Sequence, residues 1–273
     1  MTDQQARYDR IAEGYARWWS PIHRPATLSV LERIAPAVES GATRILDVGC
    51  GTGALAAAAV DRWSTVTLTG LDVSAGMLAV ADRELAALPA DARERISLVQ
   101  APADRLPFAD GAFDLVVSSF VLQLVASPYR ALREARRVLA PGGRLAVATW
   151  LAGGSLPADD AYADALVAAG FEPPDGSAHD DPATPGQAAA RLRRAGFGRV
   201  VTAAIEVDHR YTPESYLAFV TSFDDADLFA SLDPDARSSL EADILGRLHA
   251  LPGDGLRLRL PVVVATAERS GRV

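Results

Sequence analysis

The sequence predicts a doubly wound, mostly parallel α/β sheet of seven strands with helices on both faces, preceded by a helical segment and carrying a helical insert before its last strand. Short apolar runs alternate with helical patterns through the first half of the chain, as β-α-β units require. The run Ile45-Leu46-Asp47-Val48-Gly49-Cys50-Gly51-Thr52-Gly53 joins one such strand directly to a glycine loop. A length of 273 residues, 49% hydrophobic and 23% charged, suits one sizeable core with an elaboration rather than two full domains.

In chain order, strands are expected near 44–48, 66–71, 96–99, 113–118 and 143–149, with helices near 54–62, 75–87 and 127–139. Pro141-Gly142-Gly143 reads as a tight turn from the third of these helices into the fifth strand. From 151 to about 186 the chain is rich in Gly, Pro, Asp and Ala, with Gly153-Gly154, Pro173-Pro174 and Asp180-Asp181-Pro182, so a mobile loop around one short helix is expected. Gln187 to Ala195 reads as a helix stopped by Gly196, and Arg199 to Arg210 as a strand with Val200, Ala203, Ile205 and Val207 on it. Residues 213–250 are helical again, and Leu256 to Ala267 forms the last strand.

Composition removes several chemistries. All 27 basic residues are arginine, and neither lysine nor asparagine occurs. Schiff-base catalysis, a pyridoxal phosphate anchor and a phosphate-loop lysine are therefore impossible. The single cysteine, Cys50, allows no internal disulfide, and no His and acidic residues cluster with metal-ligand spacing, so no metal is expected. A net charge of −8 opposes attraction to nucleic acid or anionic lipid and favours a small-molecule partner. The first residues lack the basic and apolar segments of a signal peptide and no apolar stretch has transmembrane length, so a cytoplasmic location is expected.

Asp47 is the discriminating residue. A fixed negative charge beside a glycine loop repels a pyrophosphate but suits a ligand with a cationic group and no phosphate, and S-adenosylmethionine is such a ligand. Asp72 ends the second strand in Gly70-Leu71-Asp72-Val73-Ser74, the position from which a carboxylate reaches a ribose diol. Ser118, Ser119 and Phe120 end the fourth strand and face the crevice where such sheets bind ligands.

These runs, followed by Leu106-Pro107-Phe108-Ala109-Asp110-Gly111-Ala112-Phe113-Asp114 and by Leu139-Ala140-Pro141-Gly142-Gly143, resemble the class I S-adenosylmethionine-dependent methyltransferases, and most the branch with the ubiquinone/menaquinone and malonyl-carrier-protein methyltransferases. The similarity covers about residues 40–150 and implies a Rossmann-like core over 41–210, a helical cover over 1–40, a cap insert over 211–255 and a returning last strand over 256–273. It implies that Asp47, Gly49, Gly51 and Gly53 line the methionine part of the cofactor, Asp72 the ribose, and Val73 and Met77 the adenine, with Tyr15 and Ser119 also beside the cofactor. Where the family commonly has an acidic residue before Leu-Pro-Phe this chain has Pro102, so Asp104 or the backbone of Ala103 would take over the adenine amino group.

For the acceptor, the aromatic residues are the guide. Trp18, Trp19 and Phe120, with Tyr211, Tyr216 and Phe219 from the insert, are the candidate pocket wall, and Asp224, Asp225 and Asp227 the candidate attraction for a cation. Tyr216, Phe219 and Phe223 share one helix face, which equally suits docking on the sheet. Methyl transfer needs a general base only for a protonated acceptor, and His23, after the aromatic cluster, is the candidate; His209, His179 and His249 suit solvated positions. The residues leave open a non-methylating enzyme on the same fold, such as a cyclase or decarboxylase, or a non-catalytic cofactor-binding module.

Overall fold

The structure is a computed structural model that describes residues 3–154, 156–172 and 181–270. Its order is α1 (Asp3–Gly14), a π-helical turn (Tyr15–Trp19), α2 (Ser20–Glu39), β1 (Arg44–Val48), α3 (Ala54–Arg62), β2 (Thr67–Asp72), α4 (Ala75–Leu85), α5 (Ala90–Arg93), β3 (Ile96–Gln100), β4 (Phe113–Ser119), α6 (Pro128–Val138) and β5 (Leu139–Trp150). There follow α7 (Pro157–Ala168), α8 (Pro185–Arg194), β6 (Gly198–Arg210), α9 (Pro213–Phe219), a second π turn (Val220–Asp224), α10 (Ala226–Ser231), α11 (Pro234–Ala250) and β7 (Arg257–Glu268).

The seven strands pair in the order β3-β2-β1-β4-β5-β7-β6, as a mixed sheet. The first five are mutually parallel, and β7 runs antiparallel between β5 and β6. All carboxyl ends of the parallel strands thus open on one edge, where the chain reverses between β1 and β4 and leaves a crevice. Strands β1, β4 and β5 are apolar nearly throughout because helices cover both faces. One core packs Ile45, Leu115, Val117 and Ala146 against α2, α3 and the helices of the insert; the other packs Leu46, Val116, Leu145 and Val147 against α6 and α8.

Sequence reading and structure differ in three places. The turn expected at Pro141-Gly142-Gly143 is a bulge inside a longer strand: Leu139 already pairs with Phe113, the register then slips, and Arg144 pairs with Leu115. The Gly142 amide donates to Arg269 O and the Arg269 amide to Gly143 O, so β7's end holds the bulge in the sheet. Second, the expected cover divides in two. Helix α2 buries Ile22, Val30, Leu31 and Ile34 in the main core, and α1 alone lies over α4. Third, the 151–186 segment holds the twelve-residue α7 packed on α11; Pro173-Pro174 and His179 lie outside the described residues.

Two anchors set the edge of the crevice. Asp9 of α1 accepts from the Ser74 hydroxyl at 2.7 Å and the Gly76 amide at 2.9 Å, while Ser74 caps α4 by accepting from the Met77 amide at 3.0 Å. The Leu106-Pro107-Phe108 loop is held by α6: Glu134 accepts from the Leu106 amide at 2.9 Å, and Arg137 donates to Leu106 O at 3.0 Å and Phe108 O at 2.7 Å. That motif is scaffolding for the wall of the crevice.

Candidate active site

The site begins where β1 ends. The Gly49 and Cys50 amides both donate to Leu71 O, at 2.7 and 3.0 Å, which ties the glycine loop to β2. Gly49 and Gly51 both have positive φ, +74° and +52°, a region open mainly to glycine. A Cβ on Gly49 would lie 2.2 Å from Val121 Cγ2, whereas one on Gly51 meets nothing within 4 Å and points into open space. Gly53 departs from expectation: its Cβ position faces Ala81 and Leu85, so it turns the chain into α3 and does not border the cleft.

Asp72, at the end of β2, accepts from the Gly51 amide and from the Ser74 amide, each at 2.9 Å. Burial raises its carboxyl above the usual range, against these hydrogen bonds. Asp47 is only 2% exposed, and among the described residues no hydrogen-bond donor reaches its side chain. Burial first, and then the charge of Asp72, push its carboxyl up to about 7. Without a ligand the folded chain therefore holds a proton that the unfolded chain releases. The associated stability is present below the unfolded carboxyl's pKa, near 4, and is lost as pH rises through about 7. Thermal unfolding of the native protein and of Asp47→Asn across that interval should show the native protein losing stability relative to the variant as pH rises; parallel curves would contradict the assignment.

A cleft of about 410 Å³ opens from this loop. Tyr8 and Tyr15 close one side, Val73 and Met77 another, and Pro102, Ala103 and Asp104 a third. Asp104 has Arg130 3.9 Å away. Ser119, at the end of β4, also lines the cleft, and its hydroxyl is buried without a partner. The next residue, Phe120, holds a left-handed φ of +59°, unusual for a side-chain-bearing residue, and its amide donates to Ala148 O at 2.8 Å. Such strain clusters at functional sites. It aims the Phe120 ring onto Trp150, stacked at 4.0 Å.

That ring pair stands between the cleft and a second cavity of about 290 Å³, which shares Tyr8, Tyr15, Phe120 and Leu124 with it. Trp19, Tyr211 and Phe219 line this second cavity as expected from the sequence. So do Asp224, read from the sequence as a candidate attraction for a cation, and Phe223, read on one helix face with Tyr216 and Phe219, together with Trp150 and Asp159, which sequence reasoning did not place there. Trp150 was detectable, since it ends β5 at the ligand-binding edge. Both π turns border the cavity, one supplying Tyr15 and Trp19, the other Phe223 and Asp224; such turns are frequent at functional sites.

Three expectations change here. Trp18 lines neither cavity and stacks under the Arg17 guanidinium at 4.9 Å. Tyr216 is 1% exposed and sits behind the wall, its hydroxyl donating to Asp159 at 2.7 Å. His23 is buried beneath the glycine loop, bordering a small void of about 40 Å³ with Asp47, and does not line the acceptor cavity. Its Nε2 lies 2.8 Å from the Tyr15 hydroxyl oxygen, its Nδ1 lies 3.3 Å from Thr27 Oγ1, and burial pushes its pKa down to about 4. Both ring nitrogens are thus engaged within the fold, and His23 holds Tyr15 in place.

Among the described residues, no group of three or more His, Cys, Asp or Glu is placed to hold a metal ion, and no helix is long and apolar enough to cross a membrane.

Comparison with known proteins bears on this geometry. Residues 46–147 match the family described as "Methyltransferase domain". The chain is 41% identical over 143 residues to a malonyl-[acyl-carrier protein] O-methyltransferase of Geobacter sulfurreducens, covering 52% of this chain and 48% of that protein. It is 42% identical over 111 residues to a demethylmenaquinone methyltransferase of Thermus thermophilus, covering 41% of this chain and 49% of that one. The chain thus spans about half the length of the curated relatives it matches. Among solved structures, phosphoethanolamine N-methyltransferase 2 of Haemonchus contortus superposes with a TM-score of 0.57 at 17% identity, over 99% of this chain and 61% of that one, a likeness of fold. Residues 46–147, the span that matches the methyltransferase domain family, carry the glycine loop and both strand-end carboxylates.

Proposed function

We propose that the protein transfers a methyl group from S-adenosylmethionine to a small-molecule acceptor, without a metal. The observation that carries this reading is the Asp47 carboxylate, buried beneath the glycine loop with no donor of its own, beside a face at Gly51 that a Cβ would fill. A buried charge without a partner is costly and suits a site completed by a cation. The residues fit the cofactor. Asp47 and the loop at Gly49 and Gly51 would hold the ammonium and carboxylate of its methionine part, with the unpartnered Ser119 hydroxyl beside them. Asp72 keeps free lone pairs for the ribose hydroxyls, and Val73, Met77, Ala103 and Asp104 would surround the adenine. Bound there, S-adenosylmethionine supplies a methyl group on a positively charged sulfur.

The chain's own contribution is positioning and exclusion of water. Tyr15, held by His23, and Phe120, held by Trp150, stand where cleft and cavity meet. Helix α1 and the insert close the outer side with Tyr8, Phe219 and Phe223. The relatives' names give acceptors for those proteins, but the match lies in the cofactor half, so the acceptor must be read from the cavity. Incubation with methyl-labelled S-adenosylmethionine and a small-molecule metabolite extract tests the reaction: label should pass into a small product. Label that stays on the cofactor, with the cofactor bound, would instead favour a non-methylating enzyme on this fold.

A further inference from the structure

The acceptor cavity carries charge that methyl transfer alone does not require. Two carboxylates open into it from separate elements, Asp159 from the first turn of α7 and Asp224 from the end of the second π turn. Their neighbours are engaged elsewhere: Asp225 accepts from the Tyr162 hydroxyl at 2.6 Å, and Asp227 pairs with Arg10 at 3.6 Å. Asp159 accepts one bond from Tyr216, and Asp224 accepts none among the described residues.

Tyr211 supplies the second observation. It lines the same cavity, is 5% exposed, and its hydroxyl is buried without a partner in the field of Asp159 and Asp224. Around these groups stand the rings of Trp19, Trp150, Phe219 and Phe223. Arg7 also lines the cavity; its side chain is exposed to solvent and its charge lowers the Asp224 carboxyl, the smallest of the causes acting there, after burial and the neighbouring carboxylates. Both carboxyls are raised by burial, Asp224 to about 6, and each raises the cost of ionising its neighbours. An anionic or neutral occupant leaves that repulsion in place, whereas a cation relieves it.

We propose that the cavity takes its acceptor as a protonated amine, the ammonium held by Asp159 and Asp224 with the Tyr211 hydroxyl, and the apolar part against the aromatic rings; for transfer one N–H proton passes to the Asp224 carboxylate, and the freed lone pair forms the N–C bond as the bond from the methyl carbon to sulfur breaks and S-adenosylhomocysteine leaves. That the amine is the acceptor rests on the methyl-transfer reading above; that it binds does not. Carboxylate contacts supply charge-assisted hydrogen bonds, and the rings attract a cation through their negative faces.

The test is a charge series of one shape: phenethylamine, 2-phenylethanol and 3-phenylpropanoate, each titrated at mildly alkaline pH into the full chain, with and without saturating S-adenosylhomocysteine. Calorimetry and the fluorescence of Trp19 and Trp150 report binding. The amine should bind at least about tenfold tighter than either isostere. Asp224→Asn and Asp159→Asn should each erase most of that preference while leaving S-adenosylhomocysteine affinity within about threefold; Asn at 159 can still accept from Tyr216, and unchanged circular dichroism confirms the fold. Equal or tighter binding of the alcohol or the carboxylate, no binding of any of the three, or a preference that survives both substitutions would overturn the proposal. Failure of S-adenosylhomocysteine to bind, with the amine preference intact, would overturn the methyl-transfer reading instead.

Discussion

Asp72→Ala should weaken S-adenosylhomocysteine binding by about 1.5–3 kcal/mol, a factor of roughly ten to a hundred and fifty. The loss has two sources. The carboxylate is the candidate acceptor for the ribose hydroxyls, and it also accepts from the Gly51 and Ser74 amides at 2.9 Å, so its removal frees the loop that shapes the methionine end. Asp72→Asn separates them, since the Asn side-chain oxygen can still accept from one of the two amides but offers no second acceptor oxygen. Calorimetric titration of both variants should rank the native protein above Asn and Asn above Ala. An unchanged affinity in the alanine variant would move the cofactor away from β2.

The second large effect falls on folding. Gly49→Ala places a methyl 2.2 Å from Val121 Cγ2 at a residue whose φ is +74°. The left-handed backbone costs about 1–2 kcal/mol for a residue with a Cβ, and the overlap adds about 1–3 kcal/mol. Urea unfolding should show a loss of about 2–5 kcal/mol by the same sum. Val121→Ala in the same chain removes the methyl groups in conflict and should restore the overlap part but not the backbone part. Gly51→Ala makes the contrast: its Cβ meets no protein atom, so stability should fall by only the backbone part while cofactor affinity falls further. Equal stability of Gly49→Ala and the native protein would contradict the loop geometry.

How much of this was readable in the sequence follows from what is local. Ile45 to Gly53 and Gly70 to Ser74 each act within a few residues of one strand end, so spacing together with the family resemblance pointed to Gly49, Gly51 and Asp72, which line the cleft, and to Asp47, which lines the small void beside it. Strands β6 and β7 were readable from their apolar and β-branched runs, and their pairing follows from β7 lying antiparallel to both neighbours. The acceptor cavity was half readable. Trp19, Phe120, Tyr211 and Phe219 are there, but no helical period separates a wall residue from Tyr216 directly behind it. The two π turns break the regular helical period at Tyr15–Trp19 and Val220–Asp224, so that Trp18 packs against the core away from both cavities while Asp224 lines the second. Asp159 meets the insert through tertiary contacts, the packing of α7 on α11 and the Tyr216 hydroxyl, which no local pattern shows. The role of His23 turned on burial, since the sequence shows a histidine near aromatic residues but not that Tyr15 and Thr27 occupy both its nitrogens.

The cleft under the glycine loop should bind a sulfonium cofactor and not a dinucleotide. Isothermal titration of the full chain with S-adenosylhomocysteine and, separately, with NAD tests it most directly. S-adenosylhomocysteine should bind saturably and one-to-one and NAD not at all, because the buried Asp47 carboxylate opposes a pyrophosphate at that position. Binding of NAD, or of neither ligand, would contradict it.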